Sequence, residues 1–364
     1  MIYEKIIRPI LFKTDPEWIH NFVISGLSIV SSLPLVSNVI AKYFNVNDSS
    51  LITSVGKVKL NNPVGLAAGF DKNVTAPLAY NMLGFGYAEL GSVTYSGQPG
   101  NPKPRLWRLP KDQSLIVYYG LYNIGAKNIL EKMKKLKARK IPLGISIAPT
   151  TGLILSEMTA DYLRSFEILY PYADFITLNV SCPNVAGCDL FAQISFIREL
   201  VSAINDFKKS KNIDLDIFVK IGPDMDNEQY DEILDICVAN NVTAIIATNL
   251  IKKRESIKSL SEPKILSHPG GISGRLLRER SNEVIKHLYA RANGRLKIIG
   301  LGGVFSAQDA YDKIKCGASA IQLITGFIYN GPWAMKNINK GLVELLKKDG
   351  YKNISEAVGR SVVK

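Results

Sequence analysis

The residues with the strongest chemical potential stand in polar turns that close apolar runs. NVSCPN (179–184) sets Cys182 inside such a turn, directly before a proline. Four roles are open to that thiol: packing, half of a disulfide, a metal ligand, or a base that removes a substrate proton. Lys220 lies in a strand-like run, flanked by Val219 and Ile221. An inward lysine there needs an anionic partner, whereas an outward one needs none. Asn179, Asn184 and Asn249 end similar runs. Each amide both donates and accepts, which suits a small ring rich in heteroatoms, although any one of them could be a turn residue. GLGGV (300–304) and ITGF (324–327) are glycine turns of the kind whose N–H groups cradle a phosphate.

These turns need a frame that brings them together. From residue 62 the chain alternates apolar runs with amphipathic stretches. The runs are 63–69, 87–93, 142–148, 175–181, 217–223, 244–249, 296–304 and 320–326. Helical patterns lie between most of them, at 123–140, 161–170, 191–209 and 227–240. Strands alternating with helices imply parallel pairing, and eight such units predict a closed (β/α)8 TIM barrel. Catalytic groups of such barrels sit at the C-terminal strand ends, where the small and polar residues of these runs fall.

The four cysteines form no CxxC pair and there are three histidines, so no metal site is expected and a reducing compartment is the better reading. The net charge of +13 fits a lysine-rich surface or an anionic membrane; no nucleic-acid motif accompanies it, so no nucleic-acid partner is expected. Residues 18–44 are apolar, but serines and Pro34 interrupt them, so they are too short to span a bilayer. The pattern predicts two short helices that break near Ser31–Pro34, with Asp15 as N-cap and Pro16 in the first turn. Such helices either pack on the barrel or lie in a membrane interface. The expected division is a helical segment over 1–46 and a barrel over 47–364.

Together DPEWIH (15–20), NPVGLAAGFDKN (62–73), ELGSVT (89–94), QPGNPKPRLWRLP (98–110), NVSCPN, VKIGPD (219–224), IATN (246–249), GGISGR (270–275), GLGGV and TGFIYNGP (325–332) resemble the dihydroorotate dehydrogenase family, in its membrane-associated, quinone-using class. The resemblance implies a barrel holding FMN, oxidation of dihydroorotate to orotate in pyrimidine synthesis, and a membrane quinone as acceptor. It assigns Cys182 as the catalytic base, and Lys72, Asn179, Asn184 and Asn249 to orotate. It assigns Ala68, Gly69, Lys72, Ser92, Asn179 and Lys220 to the flavin. Thr248, Gly274, Gly302, Gly303, Thr325 and Gly326 complete the flavin site. His20 and Arg108 fall at the quinone tunnel. The expected location is peripheral, on the cytoplasmic face of the cell membrane, with the mitochondrial inner membrane as the alternative.

The chain departs from the family pattern on the substrate side. Cysteine stands at 182, where the quinone class normally has serine. IVYYGLYN (116–123) places Val117 and Leu121 where an asparagine and a phenylalanine are usual. Ser146 replaces another asparagine, and the loop over 185–192 keeps little of the family sequence. A relative acting on a different small molecule is therefore the alternative expectation.

Overall fold

The computed structural model describes residues 2–136, 139–181, 190–254 and 257–362. Cys182 and Asn184 therefore lie outside the described residues, as does Cys188. The eight apolar runs form eight strands: β1 (Val64–Leu66), β2 (Tyr87–Val93), β3 (Leu143–Ile147), β4 (Phe175–Asn179), β5 (Asp216–Ile221), β6 (Ala244–Ala247), β7 (Lys297–Leu301) and β8 (Ala320–Leu323). They pair in parallel and close in sequence order, with β8 beside β1. Both faces of these strands are covered, which is why they read as apolar runs rather than alternating ones.

Helices pack outside. The patterns at 123–140 and 161–170 resolve as Ala126–Lys134 and Leu155–Leu169, and the later two as Leu190–Ser210 and Asn227–Ala239. The helix Asn227–Ala239 starts with a capping box, in which Gln229 N donates to Asp226 Oδ1 and Asp226 N donates to Gln229 Oε1.

Inside the barrel the layers differ. An apolar floor of Tyr87, Phe175, Phe218 and Ile299 packs on Val55, Val58 and Leu60 of an antiparallel hairpin over 53–60. Gly65 and Gly144 leave room for two of these rings. A Cβ on Gly65 would meet Tyr87 at 2.3 Å, and one on Gly144 would meet Phe175 at 2.0 Å. Above the floor lies a polar layer that includes Glu89 and Gln322, whose Nε2 donates to Glu89 Oε2 at 2.6 Å. The hairpin closes one end, so the open end is the one where the strands finish.

Two further parts cover that open end. A three-stranded antiparallel sheet joins Leu106–Leu109, Ser114–Val117 and Gly271–Gly274. The helical segment runs through helical turns over 3–11, then α1 (Pro16–Ser31) and α2 (Pro34–Phe44), bent by 108° at the break. Asp15 caps α1 by accepting from Trp18 N at 2.7 Å. No single described helix is long and apolar enough to cross a membrane.

Candidate active site

A cavity of about 410 Å³ lies at the C-terminal strand ends, between the barrel and the parts that cover it. That size suits a cofactor-sized ligand. Its two ends have different chemistry.

One end is built of glycine turns. β7 runs into Gly302 and Gly303, whose φ values of 119° and 71° favour glycine. β8 runs into Thr325 and Gly326, and Thr325 Oγ1 is 2.9 Å from Ser273 Oγ. A Cβ on Gly326 would stand 1.9 Å from the Val304 carbonyl oxygen, so only glycine lets these two turns meet. Gly274 completes this wall.

The middle of the cavity is lined by Ala68, Gly69 and Lys72 after β1, Ser92 on β2, Asn179 on β4, Lys220 on β5 and Thr248 after β6. Asn179 Nδ2 donates to Ser92 Oγ at 2.9 Å, and Tyr162 Oη buttresses Asn179 by donating to its carbonyl. Lys220 is 3% exposed, so its ammonium is a charge held in the barrel. Burial pushes the Glu89 carboxyl up, while Lys220, Gln322, Ser146 and Thr177 pull it back down. The Thr248 hydroxyl is buried and has no hydrogen-bond partner among the described residues. An orphaned hydroxyl in a cavity wall is a place for a ligand acceptor or donor. With the glycine cradle and the Lys220 charge, these residues fit a phosphate-bearing planar cofactor such as FMN.

At the other end of the cavity Ser181, which closes the run over 175–181, forms a bridge that the sequence alone does not show. Its Oγ donates to Asn179 Oδ1 at 2.8 Å, and Asn249 Nδ2 donates to it at 2.6 Å. Two separated asparagines are thereby fixed in one orientation. Ser146 does not reach the wall; it is fully buried and bonds Ser92 Oγ at 2.8 Å. Val117 and Leu121 do line the cavity, beside Tyr118, Tyr119 and Tyr122.

At the covered side, His20 of α1 lines the cavity with its ring edge-on to Phe70 at 4.9 Å. Burial, with the Lys72 charge beside it, lowers its pKa to about 3, so it is neutral at ordinary pH. Arg108 is the second residue expected at the quinone tunnel. It lies outside the cavity wall, because its Nη1 donates to the carbonyls of Phe12 and Thr14 and its guanidinium covers the Phe12 ring at 4.6 Å. The carbonyls of an irregular turn before α1 need donors, and Arg108 supplies them.

The dihydroorotate dehydrogenase family model matches residues 50–346. A Nostoc punctiforme protein named dihydroorotate dehydrogenase (quinone) is 39% identical, over 99% of this chain and 98% of its own length. One of the same name from Corynebacterium efficiens is 38% identical, over 96% and 91% respectively. Ligand-free DHODH from Eimeria tenella superposes with a TM-score of 0.85 at 29% identity, covering 96% of this chain and 100% of that one. Its complex with ferulenol gives 0.82 at 28% identity, covering 95% and 96%.

Proposed function

The chain belongs to the dihydroorotate dehydrogenase family, and from that premise we propose that it oxidises dihydroorotate to orotate on bound FMN and passes the electrons to a membrane quinone. The observation that carries this reading is the cavity itself, in which a glycine cradle, a buried lysine and an orphaned threonine hydroxyl stand opposite amides and Lys72. FMN supplies the redox chemistry when bound, taking up a hydride and releasing electrons to a quinone.

The chain's own residues do the rest. Gly302, Gly303, Thr325 and Gly326 receive the phosphate, with Gly274 beside them. Ala68, Gly69, Ser92, Lys220 and Thr248 meet the flavin ring system. Lys72, Asn179, Asn184 and Asn249 orient the substrate ring, and Lys72 balances its carboxylate. Cys182 takes the substrate proton. A thiol with a reference pKa of about 8.5 ionises far more readily than an alcohol, which suits it to that task. His20, neutral in its buried site, faces the acceptor, and Arg108 acts there by holding the turn before α1.

The direct test is anaerobic mixing of flavin-loaded protein with L-dihydroorotate, followed by flavin absorbance. Rapid bleaching that a quinone reverses is the expected result. No bleaching, in protein that dithionite still reduces, would show that the substrate is something else. The apolar side chains of Val117 and Leu121 in the wall favour that second reading, a flavoprotein of this family acting on a more apolar molecule. Val117→Asn separates the two. It restores a polar partner worth about 1 kcal/mol or more, so orotate should bind roughly five- to tenfold tighter. Unchanged affinity would argue for a changed substrate.

The helical segment supports attachment to a membrane surface. Ile2, Ile6 and Ile10 are exposed on the first turns, Trp18, Phe22 and Ile29 on α1, and Leu35, Val36 and Val39 on α2. Each set recurs at helical spacing, so each helix offers an apolar stripe to an interface. Leu35 and Val39 are 84% and 71% exposed, so charging them spares the fold. The double variant Leu35→Glu, Val39→Glu should lower cosedimentation with phospholipid vesicles about tenfold or more, with dihydroorotate-driven flavin reduction unchanged. Wild-type cosedimentation would reject this face.

A further inference from the structure

A carboxylate from the helical segment is buried against Arg105, behind the tyrosines that line the cavity. Glu17 stands in the first turn of α1, where an acidic residue is ordinarily exposed to solvent, yet it is 6% exposed. Burial pushes its carboxyl up, but Arg105 outweighs this and holds it below the usual carboxylate range. Arg105 grips it with two bonds, Nε to Oε2 at 3.1 Å and Nη2 to Oε1 at 2.7 Å. Lys103 Nζ is 3.5 Å from Oε1. A buried carboxylate without such a grip would be strongly destabilising.

Arg105 is itself a junction. Its Nη1 donates to the carbonyls of Pro99 and Asn101, at 2.8 and 3.0 Å, which pins the loop before the covering sheet. Its guanidinium lies 4.8 Å from the Tyr122 ring centre and 5.1 Å from that of Tyr119. The Tyr119 ring in turn carries the Lys72 ammonium at 3.8 Å. A continuous series of contacts therefore runs from α1 through Glu17, Arg105 and Tyr119 to Lys72.

We propose that Glu17 is a positioning residue for Lys72: acting through Arg105 and Tyr119, a carboxylate of the helical segment holds the Lys72 ammonium in place for an anionic group of the substrate. The identity of that anion as the orotate carboxylate rests on the function proposed above; the coupling does not. The charged and titratable groups that face Lys72 are Glu17, Asp71, Arg105, Tyr119 and His20. Burial lowers the Lys72 pKa to about 8; Glu17 and then Asp71 oppose this, and Arg105 adds to it. Asp71 is committed elsewhere, accepting from Thr75 N, Ala76 N and Tyr80 Oη. Glu17 is thus the largest charge that keeps Lys72 cationic near neutral pH. Losing it moves deprotonation of Lys72 to lower pH.

The test compares Glu17→Gln, which removes the charge and keeps the shape, with Glu17→Asp, which keeps the charge, in full-length flavin-loaded protein. The Lys72 titration is followed by 13C NMR after reductive 13C-methylation, with Lys72→Arg assigning the signal. Glu17→Gln should lower the Lys72 pKa by about one unit or more, which is a tenfold loss of charged form above the midpoint. Glu17→Asp should shift it less. Orotate affinity, read from flavin absorbance between about pH 6 and 9, should fall about tenfold at the alkaline end in Glu17→Gln, with KM raised more than kcat is lowered. Should Glu17→Gln not accumulate as folded protein, Tyr119→Leu breaks the same series in its middle and is read the same way. An unchanged Lys72 titration in the folded variant overturns the proposal. A shifted titration in protein that never binds orotate supports the positioning role and rejects the orotate reading instead.

Discussion

Cys182→Ala is expected to retain its flavin and to lose dihydroorotate-driven flavin reduction by at least about a hundredfold. The argument is chemical. Positioned general bases contribute about 10²- to 10⁴-fold, and alanine has no group to take the proton. Apart from Asn179, the residues proposed for the flavin come from other parts of the chain, so its binding should be spared. Cys182→Ser should fall between, because a serine hydroxyl in the same place can act as a base but ionises far less readily. Cys188→Ala is the control for a second cysteine nearby in the sequence and should leave the rate unchanged. The measurement is anaerobic stopped-flow absorbance of the flavin, with dithionite reduction proving that each variant's flavin is competent. A full rate in Cys182→Ala would reject its role as base.

Gly326→Ala should yield protein with at least about tenfold less bound flavin. The added Cβ would fall 1.9 Å from Val304 O and 3.0 Å from Val304 C. Neither is a flexible side-chain end, so backbone must move. Val304 follows Gly303 directly, so the same movement opens both glycine turns at once. Overpacking of this kind costs about 1–3 kcal/mol of stability, which for a chain of this size lowers Tm by several degrees. Gly26→Ala is the matched control, since a Cβ there meets nothing within 4 Å. It should keep full flavin and gain about 0.5–1 kcal/mol in the helix. The flavin-to-protein ratio of purified protein and a thermal melt read both. Wild-type flavin content in Gly326→Ala would remove these turns from the cofactor site.

The sequence by itself determined the barrel and most of the cavity's rim. Buried parallel strands are short apolar runs, and their order along the chain is their order around the barrel, so β1 to β8 were legible as eight runs. The residues at their ends, such as Asn179, Lys220, Asn249 and Gly302, follow from that local pattern. Tertiary structure alone decided the rest. The sheet of Leu106–Leu109, Ser114–Val117 and Gly271–Gly274 takes its third strand from a distant part of the chain, so no local pattern marks the pairing. The bridge of Ser181 between Asn179 and Asn249 exists only once β4 and β6 are brought round the same mouth. The bonds from Arg108 to the carbonyls of Phe12 and Thr14 join residues 96 and 94 apart in the chain, which no local pattern marks. Glu17 and Arg105, 88 residues apart, become a buried ion pair only when α1 lies across the open end. Periodicity is a local property of the chain, whereas the partner of a buried charge is set by the closure of the whole fold.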